Sequence, residues 1–271
     1  MTLRPVLYDL PGTDRVLVRH DLLYREADGA GADALTFDLY APPEPAPDGA
    51  QRPVVVFASG YPDPGFAASL GCRFKEMAAY VSWGRLVAAS GLCAVVYSNR
   101  EPAADLATLL AHLRAHGAEL GIDRERIAIW ACSGNVHTAL TTLLRDAPDI
   151  IRAAALWYGY MLDLDGSSII AQVAAAYGSV PACAGKTVAD LRSDVPLFVA
   201  RAGRDETPGL NETVDRFVSH AIAANLPLTF ANHPTGPHAF DLLDDSPTTR
   251  HLVREVLAFL RSRLGLEAAG T

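Results

Sequence analysis

Short, unbroken apolar runs alternate along this chain with stretches of helical pattern, and that alternation limits what it can build. Pro53-Val54-Val55-Val56-Phe57-Ala58 is rich in β-branched residues, and Leu92-Cys93-Ala94-Val95-Val96-Tyr97 repeats the character. The runs at 127–132, 153–158 and 196–200 are similar. Runs this short without polar alternation suit strands buried on both faces, as in a parallel sheet. Helical patterns at 74–89, 103–118 and 252–264 punctuate them. Ahead of them, Arg15-Val16-Leu17-Val18-Arg19 and the run at 34–40 alternate as half-buried strands do, and 226–231 reads as the last strand. The expectation is an α/β fold: a mostly parallel sheet of about eight strands with helices on both faces.

The chain has 271 residues, half of them hydrophobic. With no repeat and no linker, that predicts one domain over 1–271. One segment breaks the rhythm. Residues 161–194 are longer than a crossover helix needs and carry an apolar helical piece at 169–177. Such insertions form caps or pocket walls, and a short cap is expected here, with a decorated crossover as the alternative.

The formal net charge is −8 and no basic stripe is visible, which argues against a nucleic-acid partner. Met1-Thr2-Leu3-Arg4-Pro5 turns polar at once, and no run reaches membrane length. No membrane partner is therefore expected, and a cytoplasmic location is. Cys72, Cys93, Cys132 and Cys183 show no Cys-x-x-Cys spacing and read as reduced thiols. His112 and His116 lie four apart on a predicted helix, but no carboxylate completes a metal set, so a solvated face is expected. Without a P-loop or Gly-x-Gly-x-x-Gly, no metal or organic cofactor is implied.

The run at 127–132 ends abruptly in Ala131-Cys132-Ser133-Gly134-Asn135, and a helical stretch follows at once. This is the shape of a nucleophile elbow, a strained turn that lifts a serine hydroxyl into a cleft. A serine needs a base to take its proton and an anion to orient that base. Asp205, in Ala202-Gly203-Arg204-Asp205-Glu206, lies just past a strand end. His238, in Gly236-Pro237-His238-Ala239-Phe240, lies in the loop after the last strand. Glu206, Asp163 and Asp165 are rival acids, and His233 is a rival base. Cys132 is a rival nucleophile, but centring the elbow there would set Trp130 at the crowded inner position. Ser133 as a simple helix N-cap is the plainer alternative. For an oxyanion, the backbone N–H groups of Gly134 and of Tyr61, in Ser59-Gly60-Tyr61-Pro62, are the candidate donors, since Pro62 has none.

Taken together, these three segments in the order Ser…Asp…His resemble the α/β-hydrolase superfamily, near dienelactone-hydrolase-like proteins and small serine esterases, over about 53–264. The resemblance implies an α/β-hydrolase fold and hydrolysis of a small-molecule ester through Ser133, His238 and Asp205. Acyl transfer or C–C bond hydrolysis on the same residues, and a non-catalytic ligand-binding version of the fold, are the other readings. The chain departs from the usual Gly-x-Ser-x-Gly at Ala131 and Asn135. Asn135 is the bulkier departure and is expected to hold the helix slightly away from the strand.

Overall fold

The structure is a computed structural model that describes residues 4–27, 33–44, 46, 49–176 and 183–266. It opens with strands β1 (Leu17–Arg25), β2 (Leu35–Ala41) and β3 (Arg52–Phe57). Then come helices α1 (Asp63–Leu70) and α2 (Ala78–Ala89), strand β4 (Cys93–Tyr97), helix α3 (Pro102–His116) and strand β5 (Ile122–Cys132). Helix α4 (Val136–Thr141), strand β6 (Ile151–Trp157), helix α5 (Ile169–Ala176), strand β7 (Leu197–Ala202) and helix α6 (Leu210–Ala223) follow. Strand β8 (Leu228–His233) and helices α7 (Phe240–Leu243) and α8 (Pro247–Arg263) close it. Tyr177, the expected end of the helical piece that became α5, lies outside the described residues.

All eight strands form one sheet in the order β1-β2-β4-β3-β5-β6-β7-β8. β2 runs antiparallel to both its neighbours, and every pairing from β4 to β8 is parallel. The central strands are those whose sequences lack polar alternation. β4 is buried at every position, and β3 at all but Arg52. At the edge, β1 alternates irregularly, and its pairing shifts between Arg19 and Leu22, where Asp21 has a φ of 55°. The strand therefore begins later than the alternation suggested. Arg15 lies in a single 3-10 turn, Thr13–Arg15, and the strand continues to Arg25.

Local chemistry sets the other boundaries. The pattern at 74–89 is not one helix. Arg73 and Glu76 close a capping box around the turn Phe74–Glu76, and Met77, extended at φ −65° and ψ 128°, resets the chain before α2. Helix α1 is an element that the sequence pattern did not mark. Its Asp63 is buried and accepts the Phe74 N–H at 2.7 Å and the Asn99 N–H at 3.0 Å. On α3, the carboxylate of Asp105 accepts the N–H groups of Arg100 and Glu101 at 2.6 and 2.7 Å and pairs with Arg25 of β1 at 2.8 Å. It is thus a buried tie between helix and edge strand as well as a complement to the helix dipole. His112 is half-buried, its ring 5.9 Å from Phe37 and 4.8 Å from His116, so that face is packed against β2 in part, not wholly solvated.

The sheet separates two hydrophobic clusters. One packs α3, α4 and α6 against it through Leu109, Leu113, Leu140, Val214 and Phe217. The other packs α2 and α8 through Trp83, Leu86, Val253 and Leu260. Its centre is a group of indoles: Trp130 lies 4.3 Å from Trp83 and 5.4 Å from Trp157, centroid to centroid. The described part of residues 161–194 contributes Leu162, Leu164, Ile170, Val188 and Leu191 to the first cluster. Among the described residues no helix is long and apolar enough to cross a membrane.

Two phenylalanines at one end of the sheet test this division. Phe217 on α6 is fully buried, whereas Phe230 on β8 is 41% exposed. Phe217→Ala should cost about 3–5 kcal/mol in urea unfolding and Phe230→Ala less than about 1 kcal/mol. Equal losses would contradict the placement of α6 over the core.

Candidate active site

Strand β5 carries its buried run to Cys132, where the backbone is still extended at φ −126° and ψ 148°. Ser133 then turns to φ 56°, a left-handed conformation that costs a serine on the order of 1–3 kcal/mol. One 3-10 turn, Ser133–Asn135, leads straight into α4. This strand–turn–helix is the geometry of a nucleophile elbow. Of the six non-glycine residues with positive φ among those described, three are Ser133, Tyr158 and Ala239. Tyr158 packs its ring against His238 at 5.2 Å, and Ala239 follows His238 in the chain. Strain is therefore concentrated around one spot.

The loop after β8 brings His238 to that spot. The Ser133 hydroxyl donates to His238 Nε2 at 2.9 Å, and His238 Nδ1–H donates to Asp205 Oδ2 at 2.6 Å. The Asp205 side chain is wholly buried, and the imidazole keeps 23% exposure. Burial alone would disfavour the Asp205 anion. Hydrogen bonds from His238 and Thr207 outweigh it and hold the carboxyl below its usual range. The three residues expected to act together are thus in hydrogen-bonded sequence.

Of the rivals, Asp163, Asp165 and His233 are engaged elsewhere, Cys132 is buried, and Glu206 makes no contact with the imidazole that Asp205 binds. Asp163 accepts the N–H groups of Ile170 and Ala171, both at 3.0 Å, and so serves the start of α5. Asp165 pairs with His220 of α6 at 2.9 Å. Glu206 is exposed on an open cleft beside His238. His233 is fully buried, and its Nε2 meets Asp244 at 2.9 Å and Thr249 at 3.0 Å, which ties β8 to the start of α8. Cys132 is buried against the indole cluster, and burial pushes its thiol well up, away from the reactive thiolate. All four cysteines are free.

Ser133 opens on a cavity of about 350 Å³, lined on its apolar side by Phe66, Leu70, Met77, Trp83 and Leu242. Helices α1 and α2 supply most of this wall. A short cap or pocket wall is expected of residues 161–194; none of the described ones lines this cavity, and 177–182 lie outside the described residues. The reason is the side of the sheet. The segment is bound to the α4 and α6 face, where Met161 N–H donates to Thr213 and Arg192 N–H donates to the Leu143 carbonyl at 2.8 Å. The cavity instead borders the indole cluster.

Two residues of the site were missed as such in the sequence. Asn135, read there only as bulk, joins two walls. Its Oδ1 accepts the Gly60 N–H at 2.6 Å, and its Nδ2 donates to the Tyr80 hydroxyl at 2.8 Å. Gly60 has to be glycine for this, since a Cβ there would meet Asn135 Cα at 2.8 Å. The rest of the loop is fixed as firmly: Ala58 N–H donates to the Trp130 carbonyl at 2.9 Å, and the Ser59 hydroxyl donates to the Tyr61 carbonyl at 3.0 Å. Asp241 is the second. Buried in the cavity wall, it accepts from Trp83 Nε1 at 2.7 Å and from the Tyr158 hydroxyl at 2.6 Å. Burial raises its pKa, and those two hydrogen bonds oppose the rise. Its position three residues after His238 was the only sequence signal.

No protein-family model matches the chain, and no curated protein matches it in sequence. Solved structures do match. The esterase Est2 of the planctomycete Thermogutta terrifontis superposes with a TM-score of 0.68 at 18% identity, over 96% of each chain. A propionate-bound form of the same esterase gives 0.67 at 19% identity, over 96% of this chain and 98% of that one. A bacterial heroin esterase gives 0.64 at 17% identity, over 95% of this chain and 87% of that one. MGS-M1, an α/β hydrolase from a Medee basin deep-sea metagenome library, gives 0.62 at 16% identity, over 93% and 99%. With the strand order and the elbow already described, these likenesses establish that the chain has the α/β-hydrolase fold.

Proposed function

We propose that the protein is a serine hydrolase of small carboxylic esters. The observation that carries this reading is the hydrogen-bonded line Ser133–His238–Asp205 at a strained elbow, opening on an apolar cavity. His238 Nε2 takes the Ser133 proton as Oγ attacks the ester carbonyl. Asp205 holds the imidazole in the tautomer with Nδ1 protonated and stabilises the imidazolium that forms. The carbonyl oxygen becomes an oxyanion, held by the Gly134 N–H and the Tyr61 N–H. His238 then gives its proton to the leaving alcohol. Water enters and attacks the acyl carbonyl as His238 takes its proton; the bond to Ser133 Oγ then breaks, His238 returns the proton to Oγ, and the free acid departs.

The cavity sets the substrate class. About 350 Å³ of largely apolar space accommodates a short or medium acyl chain. Est2, with propionate bound in one structure, is a neighbour of compatible scale. Asn135 has a positioning role in this scheme. By binding Gly60 N–H it fixes the loop that presents Tyr61, and it does so from the elbow itself.

A fluorophosphonate probe should label the protein once, and intact-mass spectrometry should show the label lost in Ser133→Ala. Persistent labelling in that variant, or labelling of Cys132, would remove Ser133 as the nucleophile. The pH profile follows from the base. A lowered carboxyl stays ionised above the ordinary carboxylate range, and its contribution is lost only as pH falls through the lowered value. A general base must be unprotonated to act, so kcat/KM should fall on acidification while Asp205 is still ionised. Asp205→Asn should lower kcat by on the order of 10⁴-fold. Near-normal activity in that variant would place the acid elsewhere. Asn135→Ala should lower kcat about tenfold, the equivalent of one net hydrogen bond, with KM little changed. Unchanged kcat would reduce Asn135 to packing.

A further inference from the structure

The Tyr61 side chain stands where a side chain of Gly134 would otherwise be. A Cβ on Gly134 would meet the Tyr61 ring carbons Cε2 and Cζ at 2.8 and 2.9 Å, and the hydroxyl closer still. The residue after the nucleophile is therefore glycine because a phenol lies on it. Covalent geometry then keeps the Tyr61 hydroxyl within about 5 Å of the Gly134 nitrogen. Two donors that each stand about 3 Å from one oxygen can be separated by that much. Tyr61, Ser133 and Gly134 also line the same cavity.

We propose that the Tyr61 phenol hydroxyl, and not only its backbone N–H, is a catalytic donor to the oxyanion. This rests on the ester-hydrolase reading and adds a side-chain group to it. No proton is transferred: the carbonyl oxygen gains the electron pair of the C=O π bond as Ser133 Oγ bonds to carbon, and the phenol O–H donates a hydrogen bond to that charge. The fold supports the placement on three sides. Phe66 meets the Tyr61 ring edge-on at 5.7 Å, Ser59 binds the Tyr61 carbonyl, and Asn135 holds the preceding Gly60. The ring is thus steered by its loop and by a neighbouring helix, as a preorganised donor must be.

Tyr61→Phe tests this, because it keeps the backbone N–H and the ring and removes only the hydroxyl. Two readouts are needed: steady-state kinetics on a short-chain p-nitrophenyl ester, and inhibition by a trifluoromethyl ketone that forms a tetrahedral adduct. The expected result is a fall in kcat on the order of 10²-fold with KM little changed, and weaker binding of the ketone by a similar factor. A Tyr61→Phe enzyme with undiminished kcat and ketone affinity would overturn the proposal and leave the N–H as the donor. A rise in KM alone would also overturn it, making the phenol a wall of the pocket. If the wild-type protein neither hydrolyses the ester nor takes a fluorophosphonate, the ester-hydrolase reading itself falls, which separates the two failures.

Discussion

The left-handed turn at Ser133 is the constraint on which the site depends. An L-residue is held at a φ of 56° only if its surroundings leave it no better choice. Here the strand before it is fully buried from Ile127 to Ala131, so the chain cannot retreat. Behind the turn, Asn135 is bound to both Gly60 and Tyr80, so the helix cannot slide forward. The turn brings the hydroxyl to His238 and puts Gly134 against Tyr61. Ser133, Gly134 and Asn135 thus each bind a different partner within a single turn of chain.

The sheet decides what the remaining parts can do. Its two faces carry separate hydrophobic clusters, and the cavity is built on the α2 and α8 side. The described part of the long crossover 161–194 is anchored to the opposite side by Asp165, which pairs with His220 of α6, and by the Arg192 N–H, which donates to the Leu143 carbonyl. The apolar wall of the cavity comes instead from Phe66 and Leu70 of α1, Met77 just ahead of α2 and Trp83 of α2. Asp241 links α2 to the His238 loop through Trp83 and Tyr158, so a wall of the pocket and the base are held by one buried carboxylate.

Much of this was legible in the sequence where the physics is local or ordered along the chain. The central strands show as unbroken β-branched runs because both their faces are buried. Ser133, Asp205 and His238 show through their order and their places at strand ends. The rivals could not be dismissed in the same way. Asp163, Asp165 and His233 differ from the chosen residues only in what they meet across the fold: backbone N–H groups of α5, His220, and Asp244 with Thr249. Asn135 was visible as an oddity, but its use depends on Gly60, seventy-five residues earlier. Helix α1 is only eight residues long and has prolines at its N-cap and in its first turn, so its pattern was too brief to register. The side of the sheet taken by 161–194 is likewise set by long-range packing, which no periodicity encodes.

The central claim is that Ser133 forms a covalent acyl intermediate. Rapid-quench mixing with excess p-nitrophenyl acetate, followed by peptide mass spectrometry, observes that species directly. The account predicts a burst of up to one equivalent of p-nitrophenol per protein and an acetyl group on the peptide containing Ser133, which accumulates further when deacylation is slowed at low pH. Turnover with no acylated Ser133 at any quench time, or with the acetyl group on Cys132, would contradict it.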